Sequence, residues 1–231
     1  MKRLTQPAHC KGIVTVWDLA HSAGAIPVDL AGSHADFAVG CTYKYLNGGP
    51  GAPAFIYVAP RHSGTARPAL SGWHGHDAPF SFELGYRPRP DIARMRVGTP
   101  PVIQMAALAS ALEVWDGVEM TDVRARSIEL SERLRQGVEA RCPSLALNSP
   151  KDPEQRGSQL SFCHPEGYAI IQAAIERGVV GDFRAPDVLR FGITPLYIDE
   201  HDIDRAIDVL AEIMEHDLWD EPRHKHRAAV T

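Results

Sequence analysis

The stretch Cys41-Thr-Tyr-Lys-Tyr-Leu-Asn-Gly-Gly-Pro-Gly-Ala-Pro-Ala-Phe55 places a lysine between two tyrosines, just after a short apolar run. The apolar runs 36–41 and 54–58 flank a segment rich in Gly and Pro. Short apolar runs with such boundaries are typical of strands buried on both faces of a mostly parallel sheet. The sequence therefore predicts an α/β fold in which Lys44 lies at the mouth of a strand.

Lys44 has two interpretations from its position alone. A lysine that is removed from water has a lowered pKa and can form a Schiff base with a carbonyl compound. A surface lysine that keeps its ammonium group in solvent is the more frequent case. A second residue, Asp18, bears on the choice between them.

Asp18 ends another apolar run, Ile13–Trp17, and is followed by Leu-Ala-His21-Ser-Ala-Gly24. Ligands of open α/β sheets bind at the carboxyl ends of strands, where a carboxylate is well placed. A buried aspartate needs a cationic or hydrogen-bonding partner, and a pyridinium nitrogen would serve. An aspartate at that nitrogen together with a Schiff-base lysine is the signature of a pyridoxal-phosphate (PLP) site. Asp18 could equally cap the next helix, as could Ser22, so a site and a scaffold both remain open.

The composition excludes several classes of protein. The chain has 231 residues, of which 44% are hydrophobic and 23% charged, and its net charge of −5 favours neither nucleic acid nor a membrane surface as a partner. No apolar run reaches membrane-spanning length, and the first residues lack the apolar core of a signal peptide. Four widely spaced cysteines favour reduced thiols over a disulfide framework or a zinc site. We therefore expect a cytoplasmic protein.

The order of elements predicts two folded parts joined by a helix. The first part is residues 1–100, of which residues 1–60 hold about three candidate strands after a first helix at 1–12 that contains Pro7, too few for a complete sheet. The connecting helix occupies 101–118, with Thr99 expected as its cap and Pro100 at its first position. Residues 119–231 form a small α+β unit. Its predicted elements are helices at 121–141, 166–177 and 202–219, strands at 157–162, 179–183 and 188–193, and a polar tail at 221–231.

Other polar residues have weaker assignments. Trp73 lies between glycines and offers an indole N–H, and Thr99, at a predicted helix N-terminus, could contact a phosphate as well as cap the helix. His74 and His76 have a spacing seen in some metal sites, but no clear third ligand accompanies them, so we expect no metal. A further group has no informative spacing and is interpreted as solvated loop residues: Asp29, His34, Asp36, His62 and Asp77.

Arg190 lies inside the predicted strand 188–193, where a guanidinium must be paired or face a ligand. The forked guanidinium matches carboxylates, so the α-carboxylate of an amino-acid substrate is one candidate partner. A salt bridge to Asp182 or Asp187 is the other, and the residues alone favour the salt bridge.

With these residues in place, the sequence resembles kynureninase, a PLP-dependent family with the aspartate aminotransferase fold. The resemblance depends chiefly on Val16-Trp-Asp-Leu-Ala-His-Ser-Ala-Gly24 and Gly40-Cys-Thr-Tyr-Lys-Tyr-Leu-Asn-Gly-Gly-Pro-Gly51. Shorter matching segments follow in the family's order: Ser71–Trp73, Gly98–Pro101, Gly157–Phe162, His164–Tyr168, Gly181–Pro186 and Leu189–Tyr197.

The resemblance implies a role for each site residue. Lys44 would be the Schiff-base lysine and proton shuttle, Asp18 would hold the pyridinium nitrogen protonated, and His21 would lie beside the cofactor. Tyr43 would bind the cofactor phosphate and assist proton transfer. Arg190 would bind the substrate carboxylate. Trp73 and Thr99 would contact the cofactor phosphate in the neighbouring subunit of a homodimer.

The implied reaction is hydrolysis of the Cβ–Cγ bond of L-kynurenine, or 3-hydroxykynurenine, to anthranilate, or 3-hydroxyanthranilate, and L-alanine. It would place the chain in the kynurenine pathway of tryptophan catabolism, which leads to NAD biosynthesis. The resemblance leaves open which of the two substrates is preferred.

The resemblance covers the family's C-terminal half, with residues 1–100 as the last part of the PLP-binding large domain. Most of the phosphate-binding cup has no counterpart, so we expect this truncated chain to be impaired alone, unless a separate N-terminal polypeptide completes it. Two alternatives are a related PLP lyase such as a cysteine desulfurase, and a non-catalytic remnant that serves as a dimerisation or binding module.

Overall fold

The computed structural model describes residues 1–226, so the last five residues of the predicted polar tail lie outside the described part of the chain. The chain divides into two compact units, Met1–Gly117 and a second that begins at Val118. Each combines helices with a β-sheet, so the chain is a mixed α/β protein. No helix within residues 1–226 is both long and apolar enough to cross a membrane.

The first unit is built on a three-stranded sheet whose strands lie in sequence order. Strand β1 (Val16–Asp18) is parallel to β2 (Phe37–Cys41), whereas β2 is antiparallel to β3 (Ala54–Val58). The prediction of three strands is confirmed, but that of a mostly parallel sheet is wrong for β3. The residues between β2 and β3 contain no helix that could cross over the sheet, and they return the chain beside β2 in the opposite direction.

The predicted burial of the first strand on both faces is also wrong. Strand β1 begins at Val16 instead of Ile13, and Ile13, Val14 and Val16 are all more than half exposed. Before it, helix α1 (Lys2–Cys10) forms in spite of Pro7 and ends near Gly12, which has a φ of +68°. The sheet packs its opposite face inward, where Ala38 is fully buried.

The rest of this unit consists of loops and short helices up to the connecting helix. Helix α2 spans Pro60–Ser63, single 3-10 turns span Trp73–Gly75 and Ile92–Met95, and helix α3 spans Val102–Glu113. The predicted cap at Thr99 is wrong, because the residue that precedes α3 is Pro101. A proline disfavours helical dihedrals in the residue before it, so Pro101 keeps Pro100 out of the helix.

The second unit is a four-stranded antiparallel sheet covered by helices. Its strands are β4 (Ala146–Leu147), β5 (Gln159–Cys163), β6 (Asp182–Arg184) and β7 (Val188–Gly192), and they lie in the sheet in the order β4-β5-β7-β6. Its helices are α4 (Met120–Arg141), α5 (Gly167–Glu176), α6 (Glu200–Glu215) and α7 (Pro222–Lys225). The core residues Leu160, Phe162, Leu189, Ile170 and Leu210 are fully buried. Alternating apolar residues of β5 and β7 meet the apolar sides of the helices, as the sequence pattern predicts.

Candidate functional site

The parallel pairing of β1 and β2 brings two chemically distinct residues to one edge of the sheet. Asp18 is the last residue of β1 and lies opposite Val39 of β2. Lys44 follows the end of β2 by three residues. A hydrogen bond of 2.7 Å from the Leu19 N–H to the Val39 carbonyl extends the ladder beyond Asp18. The loops after the two strands therefore begin side by side, as expected for the ligand-binding edge of an α/β sheet.

Lys44 is half-buried and contacts a nitrogen base instead of a carboxylate. Its Nζ atom lies 3.1 Å from Nε2 of His21 and 5.4 Å from the centroid of the Tyr43 ring. No ion pair of Lys44 with a carboxylate is found within residues 1–226. Since no salt bridge holds the amine, it remains available to react with a carbonyl carbon.

Asp18 is exposed, which differs from the predicted buried carboxylate. Its Oδ1 atom accepts a hydrogen bond of 2.8 Å from the Ala20 N–H, which closes a local turn. The second oxygen, Oδ2, has no hydrogen-bond partner among residues 1–226. The scaffold role that the sequence left open is therefore present in the form of a turn, and one oxygen remains open to a donor.

A close backbone contact holds the two loops together. Gly24 has a φ of +79°, and a Cβ atom at this position would lie 2.7 Å from the Tyr45 carbonyl oxygen and 3.1 Å from the Leu46 nitrogen. The Cys41 thiol also lies 3.5 Å from the Ala20 carbonyl oxygen. Only glycine permits both this conformation and this approach, so Gly24 maintains the distance between His21 and Lys44.

Replacing Gly24 by alanine is expected to separate the loops 19–26 and 42–47. The added methyl group meets backbone atoms, which cannot rotate away, and overpacking of this kind costs about 1–3 kcal/mol. Gly49→Ala is the matched control, because Gly49 has a φ of +71° but a Cβ atom added there would meet nothing within 4 Å. Hydrogen exchange should show a larger loss of protection in both loops for Gly24→Ala. Equal losses in the two variants would contradict this role of Gly24.

Three other predicted residues of the first unit are exposed: Tyr43 beside Lys44, and Trp73 and Thr99 in later loops. Tyr43 is 48% exposed and Trp73 46% exposed, and Thr99 is exposed in the segment before α3. The Trp73 ring packs on His74 at 4.0 Å and edge-on to Phe80 at 5.8 Å. Within residues 1–226 of one chain, no hydrogen bond or ring contact joins Trp73 or Thr99 to Lys44.

In the second unit, Arg190 forms the salt bridge that the sequence favoured. It lies opposite Asp182 on the neighbouring strand β6, and its Nε donates to Asp182 Oδ2 at 3.1 Å. A second, shorter hydrogen bond runs from one terminal nitrogen of Arg190 to the same oxygen. The Arg190 side chain is 22% exposed, so solvent reaches part of the guanidinium. Asp182, and not Asp187, is the partner.

The interpretation of Asp36 and His62 as solvated loop residues is wrong. Asp36 is buried and accepts five hydrogen bonds of 2.6–2.9 Å, from the side chains of His9, Arg61 and His62 and from the backbone and hydroxyl of Thr15. Burial alone would raise the pKa of Asp36, but these donors together hold it well below its usual range.

The position of Asp36 follows from the antiparallel pairing that the sequence did not predict. Phe37 pairs with Val58, so the residue before β2 meets the segment that follows β3. Arg61 and His62 lie in that segment. An acidic residue before one strand and a basic pair after its antiparallel neighbour is the signal that would have identified the cluster.

Groups of three or more His, Cys, Asp or Glu side chains that could hold a metal ion are not found in residues 1–226. The four cysteines are free thiols. The chemistry that the first unit offers is therefore that of an amine, an imidazole and a carboxylate at one sheet edge.

Comparison with known proteins agrees with these features. The sequence profile of the kynureninase C-terminal domain matches residues 123–210. Kynureninase from Burkholderia mallei (strain SAVP1) is 48% identical over 233 residues, which is 100% of this chain and 56% of the relative. Kynureninase from Deinococcus radiodurans is 49% identical over 218 residues, 93% of this chain and 53% of the relative. The chain thus spans about half the length of the curated relatives it matches.

Solved structures with the same fold include an apo cysteine desulfurase from Thermococcus onnurineus NA1, with a TM-score of 0.79 and 18% identity over 93% of this chain and 56% of that one. A structure of a C-DES mutant with glycine covalently linked to its PLP cofactor has a TM-score of 0.71 and 22% identity, over 83% of this chain and 49% of that one. Alanine–glyoxylate aminotransferase from Nostoc sp. has a TM-score of 0.66 and 17% identity, over 91% of this chain and 56% of that one.

At these identities the structural likeness shows the fold alone, and it does not distinguish a desulfurase from another member of the fold. The sequence comparison is more specific, because close to half of all residues are identical to those of kynureninases along the whole chain. By sequence, this chain corresponds to the C-terminal half of kynureninases.

Proposed function

We propose that this chain carries the catalytic lysine of a PLP-dependent hydrolase that cleaves the Cβ–Cγ bond of L-kynurenine, or of 3-hydroxykynurenine. The products would be anthranilate, or its 3-hydroxy form, and L-alanine. The observation that carries the proposal is the contact of 3.1 Å between Lys44 and His21 beside Asp18, in a sequence 48% identical to kynureninase.

The residues at this edge fit PLP. Lys44 has an amine without a carboxylate counter-ion, and Asp18 has one carboxylate oxygen without a partner among residues 1–226. These are the two groups that a PLP site requires, one for the aldehyde carbon and one for the pyridine nitrogen. When bound, PLP supplies an electron sink that stabilises the charge left by bond cleavage next to an amino group.

Each residue of this chain has a defined task in the proposal. Lys44 would hold the cofactor and move the substrate's α-proton, and His21 would position the lysine amine through their contact of 3.1 Å. Asp18 would accept a hydrogen bond from the pyridine nitrogen. Tyr43, whose side chain is half exposed, would donate to the cofactor phosphate. Arg190 binds the substrate α-carboxylate, because a planar guanidinium pairs with carboxylates through two hydrogen bonds.

The proposed assembly is a homodimer in which Trp73 and Thr99 serve the site of the neighbouring subunit. The exposure of Trp73 and Thr99 supports this assignment. Trp73 presents nearly half of its surface to solvent, and neither residue contacts Lys44 of its own chain. The proposal also assigns the chain to tryptophan catabolism in the cytoplasm, where its four thiols would stay reduced. The phosphate is expected to need donors beyond Tyr43, Trp73 and Thr99 for tight binding.

The visible absorption spectrum of the purified 231-residue chain with added PLP tests the proposal, followed by borohydride reduction and peptide mapping. The chain has five lysines, at positions 2, 11, 44, 151 and 225. A saturable absorption band with the label fixed on Lys44 is the expected result. Label distributed over several lysines would contradict a built cofactor site, and turnover of L-kynurenine would then have no basis in this chain.

A further inference from the structure

The salt bridge between Arg190 and Asp182 uses only part of the arginine. Asp182 contacts Nε and one terminal nitrogen through a single oxygen, which is the side edge of the guanidinium. The other terminal nitrogen has no hydrogen-bond partner among residues 1–226. Since the guanidinium presents five N–H groups in a fixed plane, an end-on pair of donors remains open.

A second arginine contacts the same carboxylate. Arg184 lies on the same strand as Asp182, and a terminal nitrogen of Arg184 is 3.1 Å from Asp182 Oδ2. The three side chains therefore carry two positive charges and one negative charge at neutral pH. Arg190, Arg184 and Asp182 together keep a net positive charge, although Asp182 occupies one edge of the Arg190 guanidinium.

We propose that Asp182 is a positioning residue, which fixes the plane of Arg190 so that its open end binds the α-carboxylate of the amino-acid substrate. This proposal rests on the proposed function of Arg190. A bidentate pair forms only when the planes of guanidinium and carboxylate coincide, and a side chain held in place loses less rotational freedom on binding. Arg184 offsets the charge of Asp182, so the carboxylate of the ligand is still attracted.

In the opposite interpretation, Asp182 competes with the ligand carboxylate for Arg190. The two interpretations predict opposite signs for the same substitution. If Asp182 acts only through its charge, Asp182→Asn removes a repulsion and tightens carboxylate binding. If Asp182 orients Arg190, Asp182→Asn weakens binding, although the net charge becomes more positive. The Arg184→Gln variant is the matched control for the charge, because it changes the net charge in the other direction without touching Arg190.

Side-chain NMR of arginines in the uniformly labelled 231-residue chain measures both the binding of a carboxylate and the rotation of the Arg190 guanidinium. The Arg190 Nε–H resonance is assigned from its loss in Arg190→Lys. L-kynurenine is the probe, without PLP, and kynuramine, which has the same aryl ketone and amine but no carboxylate, is the control ligand. We expect the Arg190 resonance to respond to L-kynurenine and not to kynuramine. The N–H groups on the terminal nitrogens of Arg190 should give separate resonances, because the salt bridge slows rotation of the guanidinium.

In Asp182→Asn we expect the dissociation constant for L-kynurenine to rise at least fivefold and the terminal N–H resonances to merge. Arg184→Gln should change that constant less than twofold at 0.15 M salt, because Arg184 is 62% exposed and its field is screened. The backbone amides of β6 and β7 report whether the sheet is intact, and Asp182→Ser replaces the variant if Asn disturbs them.

Unchanged or tighter binding by Asp182→Asn would overturn the positioning role and leave the assignment of Arg190 intact. A wild-type chain whose Arg190 resonance ignores L-kynurenine, or responds equally to kynuramine, would remove the Arg190 assignment and this inference with it. The two failures are therefore distinguishable in one set of spectra.

Discussion

Replacing Asp36 by alanine is expected to lower the stability of the unit Met1–Gly117 by about 1.5–3 kcal/mol, because hydrogen bonds to a charged acceptor are lost while its partly exposed cationic partners regain water. The side chain of Asp36 is only 5% exposed and joins four separate segments of the chain. Its removal takes the carboxylate acceptor from the Arg61 guanidinium, which keeps the His34 carbonyl oxygen, and the acceptor from the partly buried Thr15 N–H. A loss of this size is a large fraction of the stability of a small domain.

Hydrogen exchange measured peptide by peptide suits this test, because it reports each unit by itself. Protection should fall throughout β1, β2 and β3, while peptides of the second unit serve as the internal reference. Asp77→Ala is the matched control, since the Asp77–Arg87 pair is about half exposed on both sides and surface pairs contribute less than about 1 kcal/mol. Similar losses in the two variants would show that the Asp36 cluster does not hold this unit together.

The Asp36 cluster makes the stability of the first unit depend on pH. Because the pKa of Asp36 is lower in the folded chain than its unfolded value of about 3.9, the unfolded state binds the proton more readily. The stabilisation is therefore fully present above about pH 4 and is lost as the pH falls below that value. Acid-induced loss of protection should begin in the first unit, and Asp36→Asn should reduce its dependence on pH in that range.

Lys44→Ala is expected to abolish covalent attachment of PLP. All five lysines fall within residues 1–226, and none but Lys44 lies beside His21 at the edge shared by β1 and β2, so no other amine can replace it there. Both the saturable absorption band and the borohydride-trapped label should disappear. If assembly of the chain permits turnover of L-kynurenine, we expect that turnover to fall by at least about a thousandfold, because the bond to the cofactor and the proton transfer are lost together.

Lys151→Ala provides the control, as Lys151 is an exposed lysine of the second unit. It should leave the spectrum and the label on Lys44 unchanged. The Lys44→Ala variant also separates an enzyme from a binding module, because docking to another protein should survive the loss of this one amine. A retained band in Lys44→Ala would mean that PLP reacts with this chain at some other lysine, and the proposed site would be wrong.

Much of this chain could be predicted from its local patterns. The helices at 120–141 and 167–176 and the strands β5 and β7 follow from periodicities of 3.6 and 2 residues, which depend only on neighbours in sequence, whereas the two-residue strand β4 was not predicted. The placement of Asp18 and Lys44 at the same edge of the sheet was also predictable, since Asp18 ends one apolar run, Lys44 follows another, and parallel strands end on the same side. The run of identities with kynureninases likewise belongs to the sequence alone.

Only the tertiary structure decided how distant segments pair. The antiparallel direction of β3 depends on the path of the loop before it, and that direction alone brings Arg61 and His62 to Asp36. The choice of Asp182 over Asp187 as the partner of Arg190 depends on the register between β6 and β7. Periodicity identifies strands and their faces, but pairing and register are set by contacts between residues far apart in the chain, which a local pattern does not contain.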